Sequence, residues 1–143
     1  MKVLGIAHAG MKVKDMDKSL QFYCDGLGFK RKFTLYRDEA DTLPWIEYLE
    51  FGNQQFVELF YSYEERKEHP NLKEYYSLYH IALVVDDIHE AAAQFKEKGI
   101  SIKSELVLGP DHTWQLWIVD PDGNEIEIMQ YTDKSFQVVG IGK

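Results

Sequence analysis

Apolar and polar positions alternate along this chain in short runs, and the runs recur. Within Glu125–Gln130, Ile126 and Ile128 fall on one side and Glu125, Glu127 and Met129 on the other, the period of two of a half-buried strand. The preceding Asp120-Pro121-Asp122-Gly123-Asn124 is turn chemistry: Pro presets φ, Gly supplies a positive φ, and Asp and Asn bond their own backbone. Residues 113–120 form the other arm of that hairpin. Upstream, residues 78–85 read as a strand with His80, Ala82 and Val84 on one face. Asp87 then caps a helix through Ile88, Ala91, Ala92 and Phe95, and Gly99 ends it. Residues 100–108 read as a strand region and 109–112 as a loop.

The first half has the same order. Residues 1–13 alternate weakly, with Ile6, His8, Gly10 and Lys12 on one face. Asp15 caps a helix carrying Met16, Leu20 and Tyr23, which stops at Gly26. A strand over 33–36 and a loop over 38–44 follow. Two aromatic-rich runs, 45–51 and 55–61, read as a hairpin around Gly52-Asn53, with Phe56, Glu58 and Phe60 sharing a face. The charged stretch 64–71, with Pro70 near its end, is linker in character. The expected organisation is one domain of two modules: about 1–62, a linker over 63–76, a second module over 77–131, and a tail over 132–143 outside the pattern.

Each module therefore reads as a βαβββ unit. The first strand carries His8 or His80, and the helix cap follows seven residues later in both. The last strand carries Glu58, 50 residues after His8, or Glu127, 47 residues after His80. Self-similarity of this kind decides the fold: α+β, two paired βαβββ modules forming a concave mixed sheet with helices outside. A lone strand His is more often a satisfied core residue than a ligand. An in-phase duplicate of the whole His…Glu arrangement carries more weight. Two imidazoles and two carboxylates form an N₂O₂ donor set suited to a divalent ion such as Ni, Co, Zn, Mn or Fe(II). Without a cation, carboxylates buried together would repel.

Composition narrows the partners. The chain has 143 residues, 45% of them hydrophobic, with a net charge of −8 and a single cysteine, Cys24. The acidic balance argues against nucleic acid or an anionic membrane as main partner, and one cysteine cannot form an internal disulfide. With no secretory apolar region and no long apolar run, a cytoplasmic protein is expected. Cys24 stands at a helix end, where the dipole disfavours a thiolate.

At Tyr79-His80-Ile81-Ala82-Leu83-Val84-Val85-Asp86-Asp87, at Asp120-Pro121-Asp122-Gly123-Asn124 leading to Glu127, and at Ile6-Ala7-His8 and Phe56-Val57-Glu58-Leu59, the sequence resembles the vicinal oxygen chelate superfamily. That group includes glyoxalase I, ring-cleaving dioxygenases and fosfomycin- and bleomycin-resistance proteins. The resemblance spans about residues 1–131 and is nearest to glyoxalase I (lactoylglutathione lyase) by ligand set: His8, Glu58, His80 and Glu127 match its four metal positions. It implies a lyase or isomerase in which the metal chelates two vicinal oxygens and stabilises an enediolate, while a Glu shuttles a proton. Glu127 is the first candidate for that base and Glu58 the second. It also implies a homodimer in many relatives.

The resemblance departs at two substrate positions. Lys12 stands where bacterial glyoxalase I carries an Arg, keeping the charge but losing the bidentate fork, and Ser62 stands where an Asn is usual. A thiol other than glutathione, or a free keto acid, is therefore open as substrate. Phe56, Phe60 and Trp114 are candidate pocket walls and His112 a candidate substrate contact, against core or exposed-loop roles for each. The alternatives are a metal-dependent dioxygenase, or a non-catalytic small-molecule binding or resistance protein.

Overall fold

A computed structural model describes residues 1–2, 5–63 and 78–140. The chain divides into two compact units, Met1–Glu68 and His69–Lys143. The first contains β1 (His8–Lys12), α1 (Met16–Leu20), a π-helical continuation (Gln21–Gly26), β2 (Lys30–Tyr36), β3 (Pro44–Gly52) and β4 (Gln55–Phe60). The second contains β5 (Ile81–Val84), α2 (Ile88–Glu97), β6 (Val107–Leu108), β7 (Trp114–Val119), β8 (Glu125–Gln130) and α3 (Phe136–Val139). Each unit builds a four-stranded sheet in the same order, β1-β4-β3-β2 and β5-β8-β7-β6. In both, the first strand pairs parallel with the last and the remaining pairs are antiparallel. The α+β repeat expected from the sequence is thus the architecture of the chain. No helix among the described residues is long and apolar enough to cross a membrane.

Local chemistry explains the element ends. The Asp15 carboxylate accepts from Lys18 N at 3.1 Å, and Asp87 accepts from His89 N and Glu90 N at 2.9 and 3.0 Å, so both helices start on a side-chain cap. The first helix widens into π geometry, with Leu27 N reaching back to Phe22 O. Gly28 and Gly99 then turn the chain at φ +80° and +71°. At the tip of the β7–β8 hairpin, Asp120 is buried. It accepts from Asp122 N, Asn124 N and Asn124 Nδ2 at 2.8–2.9 Å, while Gly123 takes φ +89°. Asp120→Ala leaves those donors unpaired and should cost about 2–3 kcal/mol. In urea unfolding this appears as a lower midpoint at unchanged slope.

The isoleucines of β8 behave as their alternation requires. Ile126 and Ile128 are buried with Leu116, Ile118, Ile88 and Phe95 in the second unit's core. In the first unit Tyr23, Leu49, Val57 and Leu59 are buried. Each such side chain contributes about 1.5–3 kcal/mol by leaving water.

Several boundaries differ from the sequence reading. β1 is confined to His8–Lys12 and β5 to Ile81–Val84, because their parallel partners supply ladder positions only over those residues. The 100–108 stretch is not a continuous strand. Only Val107–Leu108 and an isolated bridge from Ile102 to Ile118 pair with β7, because the Ser104 side chain takes the Trp117 N–H that a strand would have used. The β3–β4 turn is centred on Asn53 and Gln54, both at positive φ, and Gly52 pairs with Gln55. The tail forms a short helix. Before it, Ser135 Oγ accepts from Thr132 N and donates to the carbonyl of His112. The expected linker residues 64–76 lie outside the described residues.

Candidate functional site

In the first unit the parallel register sets His8 opposite Phe56, Gly10 opposite Glu58 and Lys12 opposite Phe60, while Tyr48 of β3 lies opposite Glu58. Strand alternation then gathers His8, Gly10, Lys12, Tyr48, Phe56, Glu58 and Phe60 on one face and turns Val57 and Leu59 to the core. In the second unit Ala82 and Trp117 both lie opposite Glu127, and His80 immediately precedes β5. The residue two beyond each His, in register with the carboxylate, is small: Gly10 beside Glu58 and Ala82 beside Glu127. A Cβ on Gly10 would come within 3.2 Å of the Phe60 ring and 3.7 Å of Glu58 Oε2.

Each unit brings its His and Glu together. His8 Nδ1 lies 3.2 Å from Glu58 Oε1, and His80 Nε2 lies 3.3 Å from Glu127 Oε2. The carboxylates are shielded, with side chains 6% and 12% exposed, whereas both imidazoles are more open. Glu58 Oε1 and His80 Nδ1 are buried with no hydrogen-bond partner. Native structures rarely leave such atoms unsatisfied.

These features fit a divalent cation. Donors about 2.1 Å from one ion, at tetrahedral to octahedral angles, lie about 3.0–3.4 Å apart, and the two N···O separations fall in that interval. The donor types, imidazole and carboxylate, suit Ni, Co, Zn, Mn or Fe. Among the described residues no group of three or more His, Cys, Asp and Glu side chains gathers at one point.

The remaining candidates divide. Phe56 and Phe60 share the face of Glu58, and Phe56 meets the Tyr48 ring edge-on at 5.9 Å. Lys12 is exposed at the end of β1 on that face, and Ser62 lies just past β4. The two tryptophans of β7 point to opposite faces: Trp114 sits on the face packed against α2, its ring 5.6 Å from His89, whereas Trp117 shares the face of Glu127 and meets His80 edge-on at 4.8 Å. The His112 ring packs on Phe136 at 5.3 Å, and its carbonyl accepts from Thr132 and Ser135. Its backbone and ring are thus occupied in holding the tail.

Two features were not singled out from the sequence. Tyr48 lies opposite Glu58; its hydroxyl interacts with that carboxylate, which, with burial, raises the phenol above its ordinary pKa. On the other face of β3, Glu47 is fully buried and takes both Arg31 Nε and Nη2 at 2.6 and 2.5 Å, Thr34 Oγ1 at 2.9 Å and Tyr61 Oη at 2.7 Å. Burial, then Glu47, push the Tyr61 phenol far up. Cys24 is half-buried and its thiol is raised, first by desolvation and then by Asp25, which disfavours the nucleophilic form.

A repeated βαβββ unit that presents one His–Glu pair per copy, on the sheet face opposite its core, defines a vicinal oxygen chelate fold. The chain belongs to the Glyoxalase/Bleomycin resistance protein/Dioxygenase superfamily, whose model matches residues 5–128. A probable lactoylglutathione lyase of Synechocystis sp. is 34% identical over 134 residues, covering 90% of this chain and 97% of that protein. The uncharacterized protein YaeR of Escherichia coli is 32% identical over 127 residues, covering 87% and 95%. Among solved structures, a glyoxalase family protein from Enterococcus faecalis superposes with a TM-score of 0.73 at 26% identity, covering 88% of this chain and 97% of that one.

Proposed function

We propose that the protein is a metal-dependent, glyoxalase I-like lyase or isomerase acting on a small oxygen-chelating substrate, such as a thiol hemithioacetal of a 2-oxoaldehyde. The observation that carries this reading is the duplicated His–Glu pair, 3.2 and 3.3 Å across, with an unsatisfied buried donor or acceptor in each unit. The lactoylglutathione lyase name of the Synechocystis relative supports it.

His8, Glu58, His80 and Glu127 would hold the ion. When bound, it supplies Lewis-acid stabilisation of negative charge developing on substrate oxygen. Glu127 takes the proton from the carbon bearing the hydroxyl and thioether groups. The C–H electron pair becomes a carbon–carbon double bond as the carbonyl π pair moves onto its oxygen; the hydroxyl proton then passes to that oxygen, the first carbon becomes the thioester carbonyl, and Glu127 returns the carbon proton to the neighbouring carbon. The product is a thioester of a 2-hydroxy acid, and no outside oxidant or reductant is needed. Phe56 and Phe60 flank Glu58 in the first unit and Trp117 flanks Glu127 in the second, each shielding its carboxylate from water, and Lys12 offers a positive charge to an anionic substrate group.

Metal removal tests this directly. Exhaustive chelation should lower isomerisation of hemithioacetals, assayed with several thiols, by at least about 100-fold, in line with the several kcal/mol expected of a Lewis acid. Adding back Ni, Co or Zn should restore it. Equal activity of stripped and reloaded protein on every substrate would falsify the reading, and oxygen uptake with ring diols would redirect it to dioxygenase chemistry.

A further inference from the structure

The two units place their His–Glu pairs at corresponding positions but set different residues across the hairpin from the carboxylate. The residue lying opposite Glu58 is Tyr48, and the residue lying opposite Glu127 is Trp117. We propose that Tyr48 is a positioning residue: its hydroxyl, set across the hairpin from Glu58, holds that carboxylate in one orientation as the fixed acid of the donor set. The inference rests on the metal-dependent reading above.

The Tyr48 ring has little freedom. It stacks on Phe33 with centroids 4.2 Å apart and planes at 20°, and Phe56 closes its other side edge-on at 5.9 Å. Tyr48 thereby stays on the sheet face of Glu58, directly across the hairpin from it. The carboxylate is hemmed on the opposite side by β1, where Gly10 is the residue in register with it. One oxygen, Oε1, is left with no hydrogen-bond partner and lies beside His8. A carboxylate steadied from one side, with its other oxygen directed to an imidazole, is prepared to ligate without first reorganising.

The second unit lacks this support. Trp117 turns its ring to His80, edge-on at 4.8 Å, and an indole carries no hydroxyl. Among the described residues the polar contact of Glu127 is His80 Nε2 at 3.3 Å. The unit-two carboxylate is therefore the one whose departure from its place disrupts least, which suits a group that must carry a proton between carbons. Tyr48 acts through Glu58 and is not itself placed against the reacting atoms.

Tyr48→Phe keeps the ring stack and removes only the hydroxyl. Cobalt(II) binding, followed by competition with a chromophoric chelator, should weaken by about 10–100-fold, the usual effect of losing a ligand's outer partner. The visible absorption of the bound cobalt should change as Glu58 loses its fixed orientation. The melting temperature of the metal-free protein should move by no more than about 2 °C, since the packing is retained. The proposal is overturned if Tyr48→Phe binds cobalt as the wild type does with the same spectrum. It is equally overturned if the metal-free variant melts much lower, so that lost affinity follows lost fold. Wild-type protein that takes up no cobalt would overturn both this inference and the metal-dependent reading, whereas tight wild-type binding matched by Tyr48→Phe overturns this one alone.

Discussion

Glu127→Gln should lower kcat for hemithioacetal isomerisation by about 10²–10⁴-fold, the range lost with a positioned general base. A thousandfold loss corresponds to about 4 kcal/mol of barrier. The amide is nearly isosteric and its oxygen can still accept, so the strand, the neighbouring Ile126 and Ile128 core and the place beside His80 are all retained. What it cannot do is take a proton and give it back. KM should change by much less than kcat, because the lost interaction belongs to the transition state rather than to substrate binding. Glu58→Gln is the informative partner: its deficit should fall mainly on metal retention, and part of its activity should return when excess metal is supplied. Steady-state kinetics with metal content measured on the same samples separates the two. A fully loaded Glu127→Gln enzyme within about threefold of wild type would remove Glu127 from the role of base.

Much of this site is legible in the sequence because two separate periodicities agree. The period of two puts Glu127 opposite Ile126 and Ile128, and those isoleucines are fully or nearly fully buried. The longer repeat places His8 and His80 seven residues before caps that Asp15 and Asp87 do form. What the pattern does not carry is register across a hairpin. A turn centred on Gly52-Asn53 would set Glu47 against Glu58. The turn falls instead on Asn53-Gln54, and an irregularity between Glu50 and Gly52 brings Tyr48 opposite Glu58. One residue of shift exchanges the faces of every side chain on the strand. Glu47, a charged residue in an aromatic run, looks solvent-facing by type, and only the tertiary placement of Arg31, Thr34 and Tyr61 reveals a buried acceptor. Choosing between Trp114 and Trp117 has the same root: alternation says they point opposite ways, but not which way, until β8 supplies the partner of each.

Arg31→Met should destabilise the first unit by about 3 kcal/mol, near the lower end of the cost of breaking a buried ion pair. Glu47 has no exposed side-chain surface, while Arg31 is 52% exposed, so the two partners do not stand equal. Losing the guanidinium strands a carboxylate that water cannot reach, though Thr34 and Tyr61 still donate to it. Losing the carboxylate leaves a guanidinium that can turn toward solvent. Glu47→Gln should therefore cost less, about 1 kcal/mol, because the two hydroxyls can accept from the new amide. Placed in the Arg31→Met background, Glu47→Gln should recover stability, since it removes the uncompensated charge. Urea unfolding of the two single variants and the double variant gives the cycle. If Arg31→Met unfolds with the wild-type midpoint, the pair contributes nothing and Glu47 is held by its hydroxyl partners alone. Because Glu47 and Tyr48 are adjacent on β3 and point to opposite faces, this ion pair also anchors the strand segment that presents Tyr48 to Glu58. The destabilised Arg31→Met protein should then lose metal affinity as well, in contrast to Tyr48→Phe, where affinity falls and the fold does not.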